Sequence, residues 1–219
     1  NSGTLTVSGA TTGAITNTGA ATISGGTTGT IANNAGGTLY ISASSYTVST
    51  GAITNKSTTT KQMSLGGTNY TVAVGITSSA SYATTVASLS NTVASTVAIK
   101  GASSSKKATI SGTVGNSNAS GIINLYSNGV VSGATTNAGT FNVEGGTAAA
   151  ITNTGTLTLS SGTISGLITN SGTSTLSGGN ANGGVSNTGT LTVSGATVKA
   201  ATAISNSGTG TVTVSSGTV

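Results

Sequence analysis

The sequence predicts an all-β protein, a single-stranded right-handed parallel β-helix (β-solenoid) whose coils have about 16–20 residues. Three observations predict it. A short motif repeats at nearly constant spacing, apolar residues alternate with Thr inside each repeat, and Thr, Ser, Gly and Asn make up 136 of the 219 residues. The runner-up fold is a β-sandwich, because short strands separated by Gly-rich turns also suit that architecture.

The repeat is marked by the triplet N-x-G, which opens units that are 16 to 19 residues long on either side of a central gap. The clearest unit is N-T-G-T-L-T-L-S-S-G-T-I-S-G-L-I-T at 153–169. Gly and β-branched residues dominate these units, which argues against helix and for strand. The triplets begin at Asn1, Asn17, Asn34, Asn137, Asn153, Asn170, Asn187 and Asn206.

Alternation with a period of two indicates which side chains point inward. In the unit at 153–169, Leu157 and Leu159 share one face of a strand while the Thr residues between them share the other. Leu191 and Val193 occupy the same places two units later. One unit is too thin to bury its apolar face, so like faces are expected to stack from coil to coil, with the hand set by the chirality of parallel crossovers.

The repeat divides the chain into three parts of one continuous domain: regular coils at 1–54, an irregular Lys-bearing centre at 55–117, and regular coils at 118–219. Five of the six Lys lie in the centre. Longer coils or a lateral strand excursion are expected there. A short helix is the alternative, because Tyr82, Val86, Leu89, Val93 and Val97 fall at spacings near 3.6.

The recurring Asn is predicted to be structural, because stacked amides can hydrogen-bond from coil to coil. A sugar- or ion-binding row of amides is the alternative. The predicted column consists of Asn17, Asn137, Asn153, Asn170, Asn187 and Asn206.

Outward Thr pairs in a T-x-T pattern are the second candidate feature. Flat double columns of Thr on a β-solenoid resemble the surfaces of ice-binding proteins, although Thr is also simply a good strand residue. The predicted columns consist of Thr4, Thr6, Thr156, Thr158, Thr173, Thr175, Thr190 and Thr192.

Composition excludes most enzyme chemistry. The chain has no His, Cys, Asp or Arg, and Glu144 is its single acid, so neither a catalytic triad nor a carboxylate pair nor a zinc site can be built. Ser103, Ser104 and Ser105 precede Lys106 and Lys107, but a Ser–Lys dyad needs a buried Lys with a lowered pKa. We therefore predict no enzymatic activity, no cofactor and no metal.

The N-x-G-T-L-T-V units resemble the passenger repeats of bacterial autotransporters and two-partner-secreted adhesins over residues 1–55 and 118–219. That resemblance implies a secreted parallel β-helix at the cell surface or in the extracellular matrix, serving as an adhesin stalk, fibre subunit or scaffold. An adhesin would take surface glycans or a cell-surface receptor as partners.

Association with like copies is expected as well. The segments T-L-T-V at 4–7 and T-V-T-V at 211–214 are uncharged and β-prone, so coil 206–219 is expected to pair with coil 1–16 of the next copy. The net charge of +5 comes without Arg and with only six aromatic residues, which argues against a nucleic-acid partner. Apolar runs are too short to span a bilayer.

Overall fold

A computed structural model describes residues 1–44, 46–65, 68–200 and 203–219. The chain forms a β-solenoid of parallel strands with coils of about 18 residues, and the described part contains no helix. The predicted fold class is confirmed.

Each coil runs through up to three short strands before the chain moves to the next level. The first coil consists of β1 (Thr4–Val7), β2 (Ala10–Thr12) and β3 (Ile15–Asn17), and the second consists of β4 (Ala20–Ile23), β5 (Gly26–Thr28) and β6 (Ile31–Asn33). The third consists of β7 (Thr38–Ser42), β8 (Val48–Thr50) and β9 (Ile53–Asn55), and it is followed by a hairpin of β10 (Lys61–Leu65) and β11 (Thr68–Val72). The fourth coil consists of β12 (Val74–Thr77), β13 (Thr84–Val86) and β14 (Leu89–Asn91), the fifth of β15 (Thr96–Lys100), β16 (Ala108–Ile110) and β17 (Val114–Asn116), and the sixth of β18 (Ile122–Tyr126), β19 (Gly129–Val131) and β20 (Thr135–Asn137).

In the later coils the first two strands often merge into one. These coils consist of β21 (Thr140–Ala148) and β22 (Ile151–Asn153); β23 (Thr156–Ile164) and β24 (Ile168–Asn170); β25 (Thr173–Leu176), β26 (Asn180–Ala181) and β27 (Val185–Asn187); β28 (Thr190–Val198) and β29 (Ile204–Asn206); and β30 (Thr211–Thr218). Gly145 and Gly162 lie at the bends of β21 and β23 with φ of +99° and +90°, a conformation that Gly adopts without steric cost.

The strands stack on three faces. The first strand of every coil forms the first face, and the second strand (or the second half of a merged strand) forms the second face. The last strands, from β3 to β29, form the third face, a ten-stranded parallel sheet. Strands in each face pair in register, as in Leu157 with Phe141 below and with Ser174 above.

The core is a thin aliphatic column inside the coils. Leu157, Leu159, Leu191 and Val193 are completely buried, as the alternation predicts. Burying one such side chain stabilises the fold by roughly 1.5–3 kcal/mol, and the partners come from the coils above and below. The stack of coils therefore holds together through contacts between neighbouring levels.

The centre carries one lateral excursion, the antiparallel hairpin β10–β11, inserted between β9 and β12. Its Met63, Leu65 and Val72 form a second small core with Ala98 and pack on the outside of the first face. Gly75 makes room there, since a Cβ at that position would meet the Met63 sulfur at 2.9 Å. After the hairpin, β12 to β17 form coils of the ordinary three-strand type.

The helix alternative for the centre is wrong. Val86 ends β13 on the second face, and Leu89 begins β14 on the third face of the same coil. Both side chains are buried in the interior of the coil. A corner between two short strands restarts the alternation, so inward residues on either side of it lie three apart. This spacing imitates a helical period.

Candidate functional site

The most continuous polar feature is a ladder of Asn side chains buried at the end of the third face, which we call the Asn ladder. In every step the Nδ2 group donates to the Oδ1 atom of the Asn one coil later, over 2.7 to 3.1 Å. The members are Asn1, Asn17, Asn33, Asn55, Asn91, Asn116, Asn137, Asn153, Asn170, Asn187 and Asn206.

Each amide also closes the corner that follows it. Asn153 Nδ2 donates to the Gly155 carbonyl at 3.1 Å and to the Thr173 carbonyl of the next coil at 3.0 Å. The nine members from Asn17 to Asn187 are at most 2% exposed. A buried amide group destabilises a fold unless it is hydrogen-bonded. The ladder supplies these hydrogen bonds, so the buried amides do not oppose the stacking of coils.

Close contact between the backbones of neighbouring coils explains the Gly of the N-x-G triplet. A Cβ on Gly172 would collide with the carbonyl oxygen of Gly155 in the preceding coil, and Gly189 meets Gly172 in the same way. The triplet therefore combines a ladder amide with a corner at which two backbones approach too closely for a side chain.

All six predicted column members lie in this ladder, with Asn206 exposed in the tenth coil. The triplet at Asn34 does not mark a ladder residue, because the neighbouring Asn33 supplies the ladder amide in that coil. Asn55, Asn91 and Asn116 continue the ladder through the centre, where the triplet is missing from the sequence. The one non-Gly residue with positive φ in the described part is Asn128, which lies outside the ladder.

The predicted Thr columns lie on the outside of the first face, at its two ends. Thr156, Thr173 and Thr190 stack in register, and so do Thr158, Thr175 and Thr192, forming a double column across three coils. Thr211 and Thr213 extend it by one coil. Thr4 and Thr6 pair with Ala20 and Thr22 in the first coils, and the hairpin lies between the two groups.

A second row of hydroxyl groups runs along the second face, and the sequence pattern alone does not reveal it. One outward residue per strand stacks through the solenoid, and only two of them lack a hydroxyl. The row consists of Thr11, Thr27, Ser49, Thr85, Thr109, Val130, Thr147, Thr163, Asn180, Thr197 and Thr218. These strands are so short that each offers a single outward position, so no T-x-T pattern marks them.

The remaining sequence candidates are the serine–lysine run at 103–107 and Glu144. The hydroxyls of Ser103 and Ser105 lie 3.2 Å apart, and the Ser103 Oγ accepts from the Lys106 backbone amide in a tight turn. Lys107 is exposed, as is Glu144. The acid lies next to Tyr126 on the neighbouring coil, and burial together with this carboxylate raises the pKa of Tyr126 to about 12.

Tyr126 belongs to the cluster that fastens the hairpin. Its ring lies 4.5 Å from the ring of Tyr70, centroid to centroid, and the Lys100 Nζ sits 5.5 Å from the Tyr70 centroid while donating to its hydroxyl. Tyr40 fastens the other side, donating from its hydroxyl to the Ser64 carbonyl at 2.6 Å. The hairpin is thus attached by aromatic and polar contacts as well as by its small core.

Comparison with protein-family profiles, curated proteins and solved structures gave no significant match. Across the residues that the structure describes, no helix has the length and apolarity needed to cross a membrane. The fold and the geometry of this chain are therefore the basis for its functional interpretation.

Proposed function

We propose that this protein is a structural rod: an extracellular fibre subunit, adhesin stalk or matrix scaffold. The observation that carries the proposal is the Asn ladder, in which each amide donates to the Asn side chain of the next coil. Each coil thus offers donors on one edge and acceptors on the other, together with parallel strands and an aliphatic column. Such a unit is self-complementary along the axis.

The same complementarity supports end-to-end association between copies. A coil of one copy would offer the next copy the strand edge and the amides that neighbouring coils already share within the chain. An extracellular setting is supported by the composition, with no Cys, one Met and 3% charged residues, which leaves little for oxidation or pH to act on.

Light scattering and electron microscopy at increasing protein concentration test the association. We expect unbranched filaments one coil wide that lengthen with concentration. Val7→Lys places a charge in the core of the first coil and should shorten them, because a buried unpaired charge is costly. Val130→Lys adds the same charge to the outside of the second face and serves as the control. Strictly monomeric particles at high concentration would contradict end-to-end association.

Ice binding is a second candidate function, favoured by the registered Thr columns at the C-terminal end of the first face. Thr side chains recur there at about 4.8 Å along the axis and at about 6.6 Å along each strand. A rigid lattice of methyl and hydroxyl groups suits a solid partner with its own repeat.

Thermal hysteresis and the shape of growing ice crystals test this candidate. We expect both effects to disappear in the double variant Thr156→Tyr/Thr190→Tyr, which breaks the flatness of the columns. Thr169→Tyr places the same bulk on the exposed third face and should change neither. An unmodified protein without hysteresis would exclude ice binding.

A further inference from the structure

The hairpin creates a cleft where it meets the first coils. Strand β10 forms one wall, and the outward side of β4 and β7 forms the floor. The cleft has a volume of about 140 Å³. A cavity needs roughly 10–15 Å³ to admit a single water, so the cleft has space for several water-sized groups and can receive one sugar ring at its mouth.

The lining combines apolar carbon with uncommitted polar groups. Thr22 and Thr38 bring hydroxyls from the floor, and Gln62 brings an amide from the wall. None of these three side chains has a hydrogen-bond partner among the described residues. Hydroxyls and an amide that both donate and accept match the hydroxyl groups of a carbohydrate.

Tyr40 supplies a fixed aromatic surface at the same place. Its hydroxyl is held by the Ser64 carbonyl at 2.6 Å, which ties the floor to the wall and orients the ring. The small side chain of Ala20 lies on the outward side of β4 and leaves room over the floor. The C–H face of a pyranose is apolar and can stack on an oriented aromatic ring when the neighbouring side chains are small. A few polar groups around this apolar contact then fix the orientation of the sugar.

Charge narrows the ligand class. Lys61 is the charged residue among those that line the cleft, and it is exposed, so its ammonium can approach a ligand at the mouth of the cleft. Glu144, the single acid of the chain, lies on β21, several coils away. The cleft therefore favours an anionic ligand over a neutral or cationic one.

We propose that this cleft binds a single pyranose ring that carries a carboxylate, such as a uronic acid unit of a glycan. The ring packs against Tyr40, its hydroxyl groups bond with Gln62 and the two Thr residues, and its carboxylate pairs with Lys61. This site goes beyond the rod function and does not depend on whether copies associate end to end.

Saturation-transfer NMR with methyl glucuronide and methyl glucoside tests the site directly. We expect millimolar binding of both and about two- to five-fold tighter binding of the glucuronide, the range that one exposed charge pair gives. Thr22→Tyr fills the floor and should abolish binding of both sugars. Lys61→Gln should remove the preference for the acid and retain the glucoside.

Matched controls separate the site from general charge and from the fold. Lys107→Gln removes the same charge from an exposed turn and should leave the preference unchanged. Circular dichroism and thermal unfolding of each variant confirm that the solenoid persists. No transfer to either sugar, equal affinity for both sugars, or an equal effect of Lys107→Gln would overturn the proposal. Filaments that form without sugar binding would leave the rod function intact.

Discussion

The regular coils from Asn137 onward and the central coils around Asn91 have the same interior and different exteriors. Ladder amides follow each other at 16 to 19 residues in the regular part and at 21 to 36 residues in the centre. Outward residues are mostly Thr in the former, whereas Gly75 and Ala98 make space for the hairpin in the latter. The segments between strands therefore accommodate the additional residues of the central coils, while the inward residues keep the same register from coil to coil.

Removing core volume should separate the two regions most strongly. Leu157→Ala in a regular coil is expected to lower the free energy of unfolding by about 4 kcal/mol, because a fully buried Leu leaves a cavity. Leu65→Ala in the hairpin core should instead release the hairpin and leave the coils folded. Denaturation followed by circular dichroism reports the first effect, and limited proteolysis at the hairpin reports the second.

A third Leu completes this experiment. Leu167 is 46% exposed in a regular coil, so Leu167→Ala should cost less than about 0.5 kcal/mol. A drop in the stability of the coils with Leu65→Ala as large as with Leu157→Ala would show that the hairpin is part of the solenoid core.

The ladder should be equally important in both regions. Asn91 and Asn170 have matched surroundings, each accepting from the preceding Asn and from the hydroxyl of a Ser four residues on. We expect Asn91→Ala and Asn170→Ala each to cost about 3 kcal/mol, since several buried partners lose their hydrogen bonds. Urea denaturation measures both.

Asn34→Ala is the control for the ladder variants. Asn34 belongs to an N-x-G triplet but contributes no side-chain hydrogen bond to the described structure, so its loss should change stability by less than about 0.5 kcal/mol. A large cost at Asn170 with none at Asn91 would mean that the ladder is interrupted in the centre.

The smallest effect concerns the attachment of the hairpin at high pH. The pKa of Tyr126 lies at about 12 instead of 10.0, because burial and then the Glu144 carboxylate disfavour the phenolate. Above pH 10 an unfolded or detached Tyr126 loses its proton while the packed one keeps it. The contribution of Tyr126 to the packing is therefore complete below about pH 10 and is lost as the pH rises toward 12.

Absorbance titration of the tyrosinate measures this directly. One of the five Tyr should titrate near pH 12, and Tyr126→Phe should remove that step. Glu144→Gln should lower the step only in part, since burial is the larger cause. A single titration of all Tyr near pH 10 would contradict the packing of Tyr126 on the hairpin.

Fold class and core follow from the sequence because alternation and stacking are local patterns repeated many times. The centre does not follow as easily, and the ladder shows why. Asn153 closes its corner with the Gly155 carbonyl two residues on, whereas Asn91 uses Ser95 four residues on and Asn116 uses Gly121 five residues on. The hydrogen bond is retained while the triplet that would reveal it is lost.

Surface features were accessible to different degrees. The T-x-T pairs of the first face are visible because each coil gives two outward positions on that face, but their register with Thr211 and Thr213 emerges only from strand pairing. The cleft at Tyr40 joins residues from three separate segments, 20–22, 38–40 and 61–64, through a hairpin that no repeat encodes. Long-range packing of an insertion has no periodic signature.

Hydrogen exchange of the ladder side-chain amides, measured by NMR, tests most directly whether one uninterrupted interior runs through both regions. We predict that the Nδ2 protons of Asn91 and Asn116 exchange as slowly as those of Asn153 and Asn170, and far more slowly than the exposed Gln62 amide. Rapid exchange at Asn91 and Asn116 beside slow exchange at Asn153 and Asn170 would contradict the account.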